Sequence, residues 1–241
     1  MVGVILAGGL GTRLMPLTKI TNKHLLPVYD QPMIFYPIKS LVQAGIKDIV
    51  LVTGGAHSGS FVQLLGNGKE FGLSSLQYVY QDGEGGIADA LRLTQRVTRD
   101  SPIAVILGDN LFEKSIAPHV QSFQKNPQGA QIVLKKVKDP NRFGVPSFDK
   151  KNNIIKITEK PKHPDSPYAV TGLYFYDSEV FKIISKLKPS RRGELEITDV
   201  NNAYLNRGQL KHGIISGWWS DCGTFKSLHN ASTLIKKQLS K

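Results

Sequence analysis

A glycine loop ending on an arginine, Gly8-Gly9-Leu10-Gly11-Thr12-Arg13, follows directly on the apolar run Val4-Ile5-Leu6-Ala7. Glycines after a buried strand let backbone amides close on an anion, and a guanidinium beside them adds a fixed charge with planar donors. The chemistry suggested is the holding of a nucleotide's phosphates; a plain surface arginine is the other reading of Arg13. Two familiar phosphate loops are excluded by spacing. A Walker loop needs Gly-Lys-Ser/Thr after its four-residue gap, whereas Gly3 and Gly8 are followed by Gly9-Leu10. The dinucleotide fingerprint would place its third glycine at position 14, which is Leu14.

More groups with chemistry stand where apolar runs end. Gln81 follows Leu76-Gln77-Tyr78-Val79-Tyr80 and precedes the glycine turn containing Gly86. Its carboxamide can pair with the N3–H and a carbonyl of a pyrimidine, although polar residues also commonly end strands. Asp109 emerges from Ile103-Ala104-Val105-Ile106-Leu107-Gly108, a position from which a carboxylate can serve Mg²⁺ together with substrate phosphates. Glu159-Lys160-Pro161 follows Ile154-Ile155-Lys156-Ile157, where a solvent-facing turn is the commoner outcome. Cys222 has no nucleophilic or thiolate-ligand pattern around it and reads as a small apolar side chain.

These groups need a frame that brings strand ends together. Apolar runs at 3–7, 48–52, 76–80 and 103–107 alternate with helical patterns near 33–44, 58–65, 86–98 and 115–126. Such alternation predicts an α/β fold with a parallel sheet and helices on its faces, and ligands bind beyond the carboxyl ends of such strands. The glycine loop, Gln81 and Asp109 all follow strands and reach that edge. The second half has strand-like runs near 130–138, 144–149, 153–158, 168–177 and 210–217, with helices near 178–187, 195–207 and 224–238. It predicts a mixed sheet covering the other side of a cleft. No linker divides the 241 residues, so one domain is expected, with a nucleotide-binding part about 1–128 and a second part about 129–241.

The chain carries 31 basic against 19 acidic side chains, a net charge of +12. The lysines are scattered in short clusters without nucleic-acid-binding motifs, so a phosphate-rich small substrate is favoured over DNA or RNA. No apolar run approaches the ~20 residues of a membrane span, and no secretory pattern opens the chain. With a single cysteine, a cytoplasmic location is the expectation.

The blocks Leu6 to Leu14, Pro16 to Val28, Gln81 with Gly85-Gly86-Ile87-Ala88, Leu107 to Asn110 and Arg142 to Val145 resemble, in order, those of sugar-1-phosphate nucleotidyltransferases. So do Glu159 to Pro161, Tyr168 to Tyr174, Arg192 to Val200 and Trp219-Ser220-Asp221. The resemblance implies a Rossmann-like three-layer sandwich with a mixed, mainly parallel sheet. It implies an enzyme that joins dTTP and α-D-glucose 1-phosphate into dTDP-glucose and pyrophosphate, with UTP and UDP-glucose as the alternative, at the head of dTDP-rhamnose biosynthesis.

Roles follow residue by residue from the same resemblance. Leu6, Gly8, Gly9, Gly11, Thr12, Arg13, Lys23, Gln81 and Gly86 would bind the nucleotide. Asp109, Gly144, Glu159, Lys160, Val170 and Arg192 would hold the sugar phosphate, and Asp109 with Asp221 would carry Mg²⁺. Arg13, Lys23, Asp109, Lys160, Arg192 and Asp221 would do the catalytic work. His24 stands where many relatives carry glutamine and has no assigned role. The resemblance also implies a homo-oligomer, dimer or tetramer. Longer relatives continue into helices that help build a regulatory nucleotide-sugar site; a single helix near 224–238 is expected here, and with it weak feedback by dTDP-rhamnose.

Overall fold

The computed structural model describes residues 1–240. Strand β1 (Val2–Ala7) leads into three single 3₁₀ turns at Thr12–Leu14, Leu17–Lys19 and Lys23–Leu25, then a minimal ladder of β2 (Pro27–Val28) and β3 (Gln31–Pro32). Helix α1 (Phe35–Gln43), β4 (Asp48–Gly54), α2 (Ser58–Leu65) and β5 (Ser75–Gln81) follow. Then come α3 (Ile87–Arg92), α4 (Gln95–Thr98), β6 (Ile103–Leu107), β7 (Asn110–Phe112) and α5 (Ala117–Gln124). The second half contains β8 (Ala130–Lys136), β9 (Gly144–Phe148), β10 (Ile154–Glu159) and β11 (Tyr168–Tyr176). It closes with α6 (Glu179–Ile184), α7 (Ile197–Asn206), β12 (Leu210–Ile214), β13 (Trp219–Asp221) and α8 (Phe225–Leu239).

Seven strands form one sheet in the order β12-β8-β11-β6-β1-β4-β5. It is mixed and mainly parallel: β11 alone runs against its neighbours β6 and β8. Alternation along the strands feeds two apolar layers. Val4, Leu6, Val50 and Val52 pack with Leu91, Phe181 and Tyr204 from α3, α6 and α7. Ile5, Ile49 and Leu51 pack on the other face with Ile38, Phe61 and Phe123 from α1, α2 and α5. Burying both faces is what turns these strands into nearly continuous apolar runs.

Parallel register fixes the site's edge. Leu6 stands level with Val52 on one side and Leu107 on the other, and Gly54 is level with Gln81. Gly8, Gln81 and Asp109 therefore leave the sheet along one border. From β1 the chain builds outward through β4 and β5, then returns to β6 on β1's opposite flank. This reversal opens a crevice at the carboxyl ends, where such folds place ligands.

Four expectations require correction. The strands of the second half do not make a sheet of their own, because β8, β11 and β12 extend the first one, while the β9-β10 hairpin and the short β13 stand apart from it. The helix read at 86–98 is two short helices. Thr94 sits at the break, its hydroxyl donating to the Leu91 carbonyl at 2.8 Å in place of a regular continuation. A helix is the ordinary continuation of such a strand and glycine loop, with Arg13 at its start; here the loop enters a lone 3₁₀ turn, because Pro16 offers no N–H and its predecessor Met15 is extended, with ψ of 139°. Two three-residue strands, β7 and β13, pair with each other where sequence alone gave only loop.

Candidate active site

The crevice is a cleft of about 350 Å³ whose walls include Leu6, Gly8, Gly9, Arg13, Lys23, Gln81, Gly86, Asp109, Gly144, Glu159, Lys160, Val170, Arg192 and Asp221. Of the residues singled out in the sequence, Gly11 and Thr12 alone are not on its wall. Gly11 serves the loop's shape. It has φ of +69°, a Cβ there would fall 2.8 Å from the Lys23 Cβ, and its carbonyl accepts from the Thr18 hydroxyl at 3.0 Å.

At the glycine loop, Leu10 N–H donates to a Glu84 carboxylate oxygen at 3.4 Å, so one loop amide already faces a negative group. The guanidinium of Arg13 lies against Gly223, beside Asp221. Gln81 is buried at the end of β5, and a Cβ on Gly8 would lie 2.6 Å from its Oε1. Only glycine leaves room for that oxygen.

Between the two ends stand Asp109 and Asp221. Asp109 Oδ2 accepts from Lys23 Nζ at 2.6 Å and Oδ1 from Asn110 Nδ2 at 2.9 Å. Burial works against its ionisation, yet the charge of Lys23 beside it holds the Asp109 carboxyl well below the usual carboxylate range. Asp221 Oδ2 accepts from Arg142 Nη2 at 3.1 Å. Burial, then the charge of Asp109, pushes the Asp221 carboxyl up to about 6. Two carboxylates that repel each other form an oxygen-only pair that a divalent cation relieves, and Mg²⁺ typically takes one or two carboxylates plus substrate phosphates. Among the described residues no group of three or more His, Cys, Asp or Glu is gathered for a metal. The remaining oxygens would come from substrate and water.

The spacing of this pair is set by backbone. Asp221 on β13 is level with Asn110 on β7, and Cys222 N–H donates to the Asp109 carbonyl at 2.8 Å. Asn110 is the hub that sequence reading left without a role. Its Oδ1 accepts from Gly172 N–H at 2.8 Å and from Trp219 Nε1 at 2.7 Å while its amide steadies Asp109. His24 also lines the cleft but is almost wholly buried, its ring filling the space beside Gly108. Burial and then the Lys23 charge drive it down to about 3, so it is a neutral spacer near neutral pH.

At the far end, Glu159 closes β10 opposite Gly144, and its Oε2 accepts from the Thr198 hydroxyl at 2.6 Å. Lys160 stands next to it in the left-handed region at φ +43°, with its Nζ 3.6 Å from Glu159 Oε1. The Arg192 guanidinium meets Glu196 at 2.7 Å and Glu159 at 3.5 Å. Arg142 also lines the cleft, its guanidinium 5.3 Å from the centre of the Phe143 ring. Arg142 and Thr198 received no role from sequence, although both fall inside blocks that carry the family resemblance.

A cleft with cations at both ends, paired carboxylates between them and no activated nucleophile is built for phosphorus chemistry by positioning. The chain matches the Nucleotidyl transferase family over residues 2–238. It belongs to that family. A glucose-1-phosphate thymidylyltransferase of Neisseria gonorrhoeae is 44% identical over 239 residues, 98% of this chain and 83% of that protein. A crystal structure assigned as a glucose-1-phosphate thymidylyltransferase from Bacillus anthracis, in complex with a sucrose, superposes with a TM-score of 0.92 at 52% identity. That likeness covers 97% of this chain and 95% of the other. A UDP-glucose pyrophosphorylase complexed with UDP-glucose gives a TM-score of 0.88 at 25% identity, over 98% of each chain. Nucleotidyl transferases take a nucleotide and a second substrate, and the cleft offers two ends for them. Among the described residues no helix is long and apolar enough to cross a membrane.

Proposed function

We propose that this nucleotidyl transferase moves a thymidylyl group from dTTP to α-D-glucose 1-phosphate, forming dTDP-glucose and pyrophosphate. The observation that carries the reading is that one cleft is lined both by Gly8, Arg13 and Gln81 from the first half of the chain and by Glu159, Lys160 and Arg192 from the second. The names of its relatives supply the substrates.

In this reading Gln81 meets the base, while the glycine loop, Arg13 and Lys23 hold the triphosphate. Glu159 accepts sugar hydroxyls, the backbone at Gly144 and Val170 lines the sugar pocket, and Lys160 with Arg192 clamps the sugar phosphate. An oxygen of that phosphate then forms a bond to the α-phosphorus as the bond to the departing pyrophosphate breaks, in line. The sugar phosphate enters as an anion, so no base is needed, and the work left to the protein is orientation and neutralisation of charge. Lys23 and Arg13 face the side where pyrophosphate charge grows. Mg²⁺, held by Asp109 and Asp221, would supply charge neutralisation at the α-phosphate when bound.

The reading takes the enzyme as a cytoplasmic homo-oligomer, dimer or tetramer, which sedimentation of the purified chain tests. Its central test is pyrophosphate release with glucose 1-phosphate and each of dTTP, UTP, dCTP, ATP and GTP. The expected order is dTTP, then UTP, with purine nucleotides nearly inert; comparable turnover with ATP or GTP would sink the reading. The second reading, UDP-glucose formation, is favoured by the likeness to UDP-glucose pyrophosphorylase. One methyl group separates the two bases, worth ~1–3 kcal/mol in a fitted pocket.

A further inference from the structure

The side chain that meets the base does not choose its own orientation. Gln81 Nε2 donates to Asp89 Oδ2 at 3.2 Å and to the Gly86 carbonyl at 3.4 Å. A carboxylate and a carbonyl can only accept, so both amide protons of Gln81 are committed on that side. The other carboxylate oxygen of Asp89 accepts from Arg92 Nη2 at 2.7 Å, which anchors it on the first turns of α3. The approach is close on both sides. A Cβ on Gly85 would fall 2.5 Å from Asp89 Oδ2, and one on Gly8 would fall 2.6 Å from Gln81 Oε1. The chain Arg92, Asp89, Gln81 therefore leaves a single acceptor, Gln81 Oε1, beside Gly8 on the cleft wall.

We propose that Asp89 is a positioning residue that sets base specificity, by fixing the Gln81 amide so that the cleft presents an acceptor and takes bases with a ring N–H. Thymine and uracil offer such a donor at N3, whereas cytosine offers an acceptor at the same position and meets repulsion. This inference rests on the proposed pyrimidine nucleotide site and adds to it the element that discriminates. The sequence-based expectation gave Gln81 two bonds to the base; the geometry leaves it one.

Asp89→Asn makes the inference testable by more than loss. Arg92 keeps the new side chain's oxygen on its own side, so the new NH₂ faces Gln81. The Gln81 amide then has to turn its oxygen back toward residue 89 and its NH₂ toward the cleft. dUTP and dCTP lack the 5-methyl group and differ only on the edge concerned. Their dissociation constants, measured by calorimetric titration without metal or sugar phosphate, give a ratio that is insensitive to the lost charge, because both carry the same triphosphate. Wild type is expected to prefer dUTP. In Asp89→Asn the dUTP-to-dCTP preference should fall at least about tenfold, as expected when a buried polar group is turned to face the wrong partner. Asp89→Ala, which releases the amide without turning it, should bring the ratio toward parity, and it serves also if the asparagine variant does not fold. An equal weakening of both nucleotides, or a preference kept within twofold in a folded variant, would overturn the role of Asp89 alone. Wild type that binds dUTP and dCTP alike would overturn the base-reading role of Gln81 together with it.

Discussion

The two ends of the cleft are built from different materials. The end proposed for the nucleotide is largely backbone: glycine positions, strand ends locked by parallel register, a carboxamide held by its neighbours, and Arg13, which among the described residues has no ion-pair partner, with Lys23 paired to Asp109 at 2.6 Å. The end proposed for the sugar phosphate is charge set against charge, with Arg192 on Glu196 at 2.7 Å and also near Glu159 and Glu194. A phosphate arriving at the first end finds Arg13 without a partner, while the Leu10 amide has to leave Glu84 and Lys23 has to be shared with Asp109. One arriving at the second must draw a guanidinium away from carboxylates, each exchange trading one charge-assisted bond for another. In the proposed reading, preorganisation is greater around the glycine loop and adaptability greater around Arg192.

The largest effects are expected at the carboxylates that join the two ends. Asp109→Asn and Asp221→Asn keep shape while removing the charge meant for the cation, and each should lower turnover at least about a hundredfold in Mg²⁺ titrations of the steady-state rate. Near wild-type turnover at saturating Mg²⁺ in either variant would strike that residue from the metal site. Next, Arg13→Ala should depress turnover by ~10²-fold, because a cation free of partners is most useful as charge develops on the leaving group. If Arg192→Ala cost as much turnover as Arg13→Ala, with no greater rise in the sugar phosphate's KM, the two ends would not differ as described.

Gln81→Ala should raise KM for dTTP about tenfold with kcat nearly unchanged, since a bond to the base is equal in ground and transition states. The smallest effect, and the most telling for the comparison, belongs to Glu196→Gln. It should loosen Arg192 and lower KM for glucose 1-phosphate a few fold, leaving that for dTTP alone. A change in the dTTP constant instead would show that the two ends communicate through this cluster.

Stability offers a separate check on the buried histidine. Neutral His24 is favoured in the folded chain, its value lying at about 3 against an ordinary 6.5. A folded value below the unfolded one gives a stabilising contribution that is fully present above pH 6.5 and fades as the pH falls toward the folded value. The fall in Tm from pH 7 to pH 5 should be shallower in His24→Gln than in wild type. Identical slopes would mean that His24 accepts its proton without cost.

What could be read in advance follows from length and burial. Strands β1, β4 and β6 are buried on both faces and appear as apolar runs, so their ends, and with them Gly8 and Asp109, could be located. β7 and β13 are three residues each, too short for any periodicity to show, and so the partnership of Asp109 with Asp221 rested on resemblance. Asn110 was passed over because its value lies in three simultaneous bonds to distant residues, which no local pattern encodes. Arg142 and Asp89 were missed for the same reason: each acts on a partner that sequence had marked, across the turn of a helix or a strand pair. The extra strand pairings of β8, β11 and β12 are non-local and became legible only with the register.

The β7-β13 ladder is, in effect, a ruler. Because side chains alternate along a strand, moving β13 by one residue against β7 would put Ser220 or Cys222 where Asp221 stands and turn the carboxylate to the opposite face. The distance between the two acidic groups is therefore quantised by peptide geometry. Trp219 on the same short strand is tied to Asn110 at 2.7 Å, so one residue inserted before Asp221 breaks that bond together with the spacing. A site gauged in this way can accept new sugars by trading wall residues while keeping the same phosphorus chemistry.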